Sequence, residues 1–207
     1  MKSCSFESQK ELKREIYFNQ DMKCAVIDID GVLNYYPSTY ISFVNDTLGT
    51  SFKTLSEMKL EIPFTQYEDL KKAYRKSSYK HDAKPRDGAC EFLHYLQRHD
   101  YLIYIVTSRD LFKYNQLEKT ILWLQKNDLH YDYLYRSDKK DFVIYEKFKH
   151  VDLVVEDSVD NLERIKSING EARYYNMKNA DNDSIPCSCT RVSGFDEILA
   201  DLRSKEA

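Results

Sequence analysis

Lys23-Cys24-Ala25-Val26-Ile27-Asp28-Ile29-Asp30-Gly31-Val32-Leu33-Asn34 is an apolar run that ends abruptly in two aspartates two residues apart, followed by a glycine. A buried parallel strand delivers acidic side chains to its carboxyl edge in this way. Side chains alternate along a strand, so Asp28 and Asp30 could share a face, but a chain leaving the sheet at Gly31 can bend enough to separate their tasks. Two carboxylates this close repel unless a cation or a shared proton compensates, and a divalent metal is the simplest compensation. A solvated acidic turn at a strand end is the plain alternative for this stretch alone.

Outward from that strand, the chain of 207 residues is long enough for one domain with a small insertion. A net charge of -3 and a pI near 6.0 argue against a nucleic-acid-coating surface. Cys4, Cys24, Cys90, Cys187 and Cys189 are an odd, scattered set that suits a reducing compartment. Cys187-Ser188-Cys189 could be half of a zinc site, but no second Cys or His pair stands at zinc spacing. His81, His94, His99, His130 and His150 likewise fit no ligand spacing and read as surface or helix residues. The amino terminus has no apolar signal core and no stretch is long enough to span a bilayer, so the chain reads as soluble and cytoplasmic.

Taken in order, Leu12, Ile16 and Phe18 imply a short amphipathic helix over residues 8–18. After the first strand, residues 35–84 lack any strand-like run and read as an all-helical insert, with capping boxes at Thr54-x-x-Glu57 and Thr65-x-x-Glu68. Pro85-Arg86-Asp87-Gly88 punctuates, and a helical face of Ala89, Phe92, Leu93, Tyr95 and Leu96 feeds a second strand over 101–106. That strand ends in Thr107-Ser108-Arg109. A helix follows with Leu111, Leu117, Ile121, Leu122 and Leu124 on its apolar side and Trp123 in the core. Further strands are expected over 131–135, 151–155 and 172–175, with helices over 137–148, from Asn161 to Ile165 and over 195–202. The alternation predicts an α/β fold: a Rossmann-like parallel sheet with helices on both faces and a small all-helical cap inserted after the first strand. The division is 1–34 with 85–207 as core and 35–84 as cap.

Four strand-end or helix-start positions carry polar groups: Asp28 with Asp30, Thr107 with Ser108, Lys139 or Lys140, and Glu156 with Asp157. In this order and placement the chain resembles the haloacid dehalogenase-like (HAD) superfamily of phosphohydrolases. Asp28-Ile-Asp30-Gly-Val looks like its first motif, Thr107-Ser108-Arg109 its second, the lysine its third and Val155-Glu156-Asp157-Ser158 its fourth. The insert sits where the family's type 1 cap does. Asp-x-Asp-Gly-Val-Leu, a short helical cap and Glu-Asp-Ser look most like the 5'-nucleotidase and deoxyribonucleotidase branch, although phosphosugar phosphatases and mutases share these features.

The resemblance implies a Mg2+-dependent phosphomonoesterase acting on a small phosphorylated metabolite, a nucleoside 5'-monophosphate first. Phosphoryl transfer needs an in-line nucleophile, neutralisation of the equatorial oxygens and a proton for the leaving alkoxide. Asp28 is the nucleophile, Asp30 the acid and base, and Thr107 with the lysine holds the phosphoryl group. Of the adjacent lysines only one can face the site, and Lys139 is favoured. Asp28, the Asp30 carbonyl and Asp157 are the expected Mg2+ ligands, with Glu156 orienting a bound water. Ser108, Arg109, Tyr35 and Tyr36 are the substrate-binding candidates, Arg109 being equally able to pair with an acid; Tyr40 and Phe43 are assigned to cap packing. Alternatives are a phosphosugar phosphatase or mutase, a nucleic-acid-end phosphatase and, remotely, a phospho-receiver module, whose shorter length and different strand order fit less well. No nucleic-acid or membrane partner is expected, and a homodimer is left open.

Overall fold

The computed structural model describes residues 22–113, 115–148 and 150–205, so the amphipathic segment expected over 8–18 lies outside the described residues. β1 (Lys23–Ile27) runs between β2 (Tyr101–Thr107) and β4 (Leu153–Glu156), parallel to both. β3 (Tyr133–Arg136) lies beyond β2, and β5 (Arg173–Met177) and β6 (Thr190–Val192) lie beyond β4. The order β3-β2-β1-β4-β5-β6 is parallel throughout. Chain order reverses direction across β1, and in open α/β sheets the crevice at the carboxyl ends beside such a switch point receives ligands.

Alternation along β1 explains the two covered faces. Ala25 and Ile27 enter one cluster with Phe92, Leu93 and Leu96 of α5 (Ala89–Arg98), Trp123 and Leu124 of α6 (Gln116–Lys126), and Phe195, Ile198 and Leu202 of α9 (Phe195–Ser204). Cys24 and Val26 enter the other with Ile144 of α7 (Lys140–Lys147) and Leu162 and Ile165 of α8 (Val159–Ile168). Each fully buried aliphatic side chain contributes roughly 1.5–3 kcal/mol, so register in the central strands is strongly fixed.

Between Asn34 and Pro85, which form an antiparallel bridge, the chain is helical: α1 (Ser38–Leu48), α2 (Leu55–Glu61), α3 (Phe64–Lys76) and α4 (Ser78–His81). The insert has its own cluster of Tyr40, Ile41, Val44, Met58, Ile62, Tyr67, Leu70 and Tyr74, with Phe43 packed against it. Tyr40 is fully buried there, so its packing assignment agrees with the structure. Further contacts tie the insert to the core. Leu55 N–H and Ser56 N–H donate to the Asp181 carboxylate at 3.0 and 3.3 Å, Gln116 Nε2 donates to Arg75 O at 2.8 Å, and Trp123 Nε1 donates to Ala83 O at 2.7 Å.

Several local expectations are corrected. The Thr54–Glu57 capping box forms, but Thr65 is the second residue of α3, whose helix starts right after Pro63, so Thr65 caps nothing. On α6 the buried side chains are Gln116, Thr120, Trp123 and Leu124, while Leu117 and Leu122 turn outward. β6 was unforeseen: three residues are too few to show a period. Cys187 and Cys189 are joined as a disulfide rather than standing as separate thiols. Among the described residues no helix is long and apolar enough to cross a membrane.

Candidate active site

Asp28 N–H donates to Val155 O at 3.1 Å, extending the β1–β4 ladder by one residue and holding Asp28 at the carboxyl edge. The chain then turns sharply at Gly31, whose φ of +89° favours glycine. A Cβ there would also lie 2.1 Å from Asp157 Oδ2, so glycine lets the turn and the β4 acid approach. Asn34 fastens the loop: its Oδ1 accepts from Gly31 N–H at 3.1 Å and Tyr36 N–H at 3.0 Å, and its Nδ2 donates to Asp30 Oδ1 at 2.9 Å. From the far side of the insert, Arg86 Nη2 donates to Gly31 O at 3.1 Å.

Lys140, not Lys139, is the lysine of the site. Its ammonium lies 2.8 Å from Asp28 Oδ1 and 2.5 Å from Glu156 Oε2, with 2 % of the residue exposed. Lys139 precedes the first turn of α7 and is exposed; its N–H is tied to Ser137 Oγ at 3.0 Å. One residue of helix register therefore decides between them. Burial pushes the Asp28 carboxyl up to about 7 despite Lys140, with Glu156 adding to the rise. Burial alone would lower Lys140, but Asp28 and Glu156 outweigh it and hold the ammonium charged.

Asp30 has a different environment. Arg109 grips it through the Nε–Nη2 edge of its guanidinium, and Lys80 of α4 adds an ion pair at 3.1 Å. Burial would raise this carboxyl, yet Arg109 and Lys80 hold it well below the usual carboxylate range. Ionised and occupied, Asp30 here is a base; to donate a proton it must first leave Arg109. Of the two roles held equal for Arg109, the structure shows the acid pairing. Burial and Arg109 in turn depress the Lys80 ammonium to about 8. Thr107, 1 % exposed, accepts from Arg109 N–H at 3.3 Å through its hydroxyl, and Ser108 is exposed at the pocket wall.

Three asparagines unmarked by the sequence reading frame the fourth strand end. Asn176 Nδ2 and Asn182 Nδ2 donate to Asp157 O at 2.9 and 2.7 Å, and Asn179 Nδ2 donates to Asp157 Oδ2 at 3.1 Å. Burial, then Glu156 and Asp28, raise the Asp157 carboxyl well above its ordinary range.

These residues fit a hard divalent cation. Carboxylate oxygens of Asp28, Glu156 and Asp157 all lie within 4.8 Å of one another. Asp28 Oδ1 is buried and, despite the nearby ammonium, makes no hydrogen bond of proper geometry. A buried oxygen left in this state, among like charges, is the donor set an oxygen-seeking cation uses.

The cavity over the site holds about 600 Å³. Asp28, Asp30, Glu156, Asp157, Lys140, Ser108 and Arg109 line it from the core, and Tyr36, Tyr74, Lys71, Arg75 and Lys80 from the insert. Tyr35 is elsewhere: its hydroxyl accepts from Asp87 N–H at 3.1 Å and its ring lies 4.9 Å under the Arg86 guanidinium, at the neck of the insert. Its assignment to substrate is corrected. Its neighbour Tyr36 is the one that lines the cavity.

In sequence, no family model and no curated protein matches the chain. In structure, the chain is similar to a protein from Thermotoga maritima assigned as a beta-phosphoglucomutase, with 20% identity, a TM-score of 0.60, and 88% of this chain and 99% of that one covered. A HAD-superfamily hydrolase of subfamily IA from Geobacter sulfurreducens gives 15% identity and a TM-score of 0.56, covering 86% and 98%. The D,D-heptose 1,7-bisphosphate phosphatase of B. bronchiseptica, complexed with magnesium and phosphate, gives 12% identity and a TM-score of 0.51, covering 89% and 99%. The chain therefore has the fold of the HAD-superfamily hydrolases over nearly its whole described length.

Proposed function

We propose that this protein is a Mg2+-dependent phosphomonoesterase of small phosphorylated metabolites, working through an aspartyl-phosphate on Asp28. The observation that carries the reading is the meeting of Asp28, Lys140, Glu156 and Asp157 within one cavity, with Asp30 beside them on a separate set of cations. Asp28, the Asp30 carbonyl and Asp157 would hold Mg2+, with Glu156 beside them; when bound, the ion neutralises charge on the phosphoryl group and the nucleophile.

The chain's own residues supply the rest. An Asp28 carboxylate oxygen attacks phosphorus, the bond to the leaving oxygen breaks, and a proton from Asp30 goes to the departing alkoxide. Asp30, ionised again, takes a proton from the water that cleaves the acyl phosphate, which releases phosphate and restores Asp28. Lys140 fixes Asp28 and offers its remaining charge to the phosphoryl oxygens. Arg109 pairs with Asp30 while it is ionised, between giving its proton to the alkoxide and taking one from the attacking water.

A nucleoside 5'-monophosphate is the first substrate to try, with Tyr36 as the ring-stacking surface. A phosphosugar is the second reading. It is supported by the cationic wall of the insert, where Lys71 and the exposed Arg75 stand one helical turn apart, and by the phosphosugar activities named for two of the similar proteins. Phosphate release across nucleotides and sugar phosphates, with and without Mg2+, tests both. Turnover that EDTA leaves untouched, or that survives Asp28→Asn at the native rate, sinks the proposal.

A further inference from the structure

Cys90 and His94 stand four residues apart on α5, which puts their side chains on one face of the helix. Cys90 Sγ is 3.9 Å from His94 Nδ1 and 3.6 Å from Asp128 Oδ2, and His94 Nε2 is 3.4 Å from Asp128 Oδ2. One donor atom from each residue falls within a common 4.8 Å. None of the three lines the cavity over Asp28.

We propose that Cys90, His94 and Asp128 form a second cation site, selective for zinc and similar borderline divalent ions. The ligand set decides the ion: sulfur, imidazole nitrogen and a single carboxylate suit Zn2+, whereas Mg2+ and Ca2+ take all-oxygen sets such as the one at Asp28. Spacing agrees. Zinc bonds of about 2.0 Å to nitrogen or oxygen and about 2.3 Å to sulfur, at tetrahedral angles, place donors roughly 3.3–3.6 Å apart. The Cys90 Sγ–Asp128 Oδ2 contact of 3.6 Å lies at that edge length. His94 meets Cys90 through Nδ1 and Asp128 through Nε2, so only one of these two contacts is an edge; one ring nitrogen lies within 4.8 Å of both other donors, and binding draws it inward.

The backbone places the donors before any ion arrives, while the Asp128 carboxylate itself stays exposed. Cys90 packs against the larger core cluster, which fixes its sulfur. Asp128 follows the end of α6 with φ of +53°, and the next residue, Leu129, is 2 % exposed and donates its N–H to Leu124 O at 2.9 Å. A carboxylate so close to a thiol opposes a free thiolate, so these groups do not make a nucleophile pair; a cation reconciles them. Binding forms the metal–sulfur bond as the Cys90 proton passes to solvent. Three protein ligands leave a fourth position for water or a small anion.

The test is a Co2+ titration of the whole chain in excess Mg2+, which keeps the oxygen site filled, read by the near-ultraviolet thiolate-to-cobalt absorbance. The expected result is one equivalent with a thiolate band that Zn2+ displaces. Cys90→Ser abolishes the band, and the Cys187→Ser/Cys189→Ser double variant keeps it. His94→Ala weakens binding by more than about tenfold, since even partners one step removed from a metal cost that much. Unchanged thermal melting without metal shows that the variants fold. No thiolate band in the native chain, or a band that persists in Cys90→Ser, overturns the proposal.

Discussion

Arg109 holds both oxygens of Asp30, with Nη2 2.6 Å from Oδ1 and Nε 2.9 Å from Oδ2. The second acid of the pair is thus ionised and occupied, whereas the first, Asp28, sits in an environment that favours its proton. Two carboxylates two residues apart are driven in opposite directions by their neighbours. Such divergence separates acid, base and nucleophile roles at one pH.

Arg109→Gln removes the larger of the two cations that hold Asp30 down. The Asp30 carboxyl then rises, and the falling, alkaline limb of kcat against pH, which reports loss of the proton that the leaving oxygen needs, moves to higher pH. A pH–rate profile of the variant checks this. An alkaline limb at its native position assigns the proton to another group.

Lys140→Ala leaves Asp28 and Glu156 buried without their cation. Stability falls by about 3 kcal/mol at pH 8 and by less at pH 5.5, where Asp28 can take up a proton instead. Phosphate release is lost as well. Lys139→Ala, at an exposed position, stays within about 0.5 kcal/mol and keeps its activity. Urea denaturation at both pH values and phosphate release separate the two lysines.

Removal of metal has a pH signature. Asp28 rises from an ordinary value of 3.8 to about 7 on folding, so between those limits the folded chain holds a proton that the unfolded chain has lost. The slope of stability against pH is therefore negative, and the metal-free protein loses stability from about pH 4 to about pH 7. Asp157 shifts in the same direction, and the depressed Asp30 acts only below its ordinary 3.8, where its stabilisation is lost. Thermal melting in EDTA should show a lower Tm at pH 8 than at pH 5.5, with Mg2+ raising Tm more at pH 8. Equal Mg2+ effects at both values count against a cation among these carboxylates.

Gly31→Ala places a methyl group on the Asp157 carboxylate and forces a positive φ on alanine. The backbone cost is on the order of 1–3 kcal/mol. Because Asp157 must move aside, half-maximal activity should need about tenfold more Mg2+. A Mg2+ titration of activity beside a melting curve distinguishes this displacement from simple destabilisation.

The sequence was most informative where an apolar strand meets a polar end. Asp28, Thr107, Glu156 and Asp157 could be found because each terminates a strand whose apolar run is visible in one dimension. Lys140 was only half legible: an adjacent lysine offers the same chemistry, and the choice rests on where α7 starts, which Ser137 and the turn set rather than any period. Lys80, Asn176, Asn179 and Asn182 gave no signal, because what they hold lies far from them along the chain. Cys90 and His94 did carry a faint one, an i,i+4 pair on a helix, which becomes a cluster only when the left-handed turn after α6 brings in Asp128. Tyr35 misled because one of two neighbouring aromatics had to turn away.

Lys80 belongs to the insert and Asp30 to the core, and their ion pair spans the boundary between them. Lys80 withdrawn from that carboxyl would leave Arg109 alone to oppose its protonation. The acidity of a core residue is thereby tied to where a helix of the insert rests: any displacement of α4 from the sheet edge would let Asp30 take up a proton more readily.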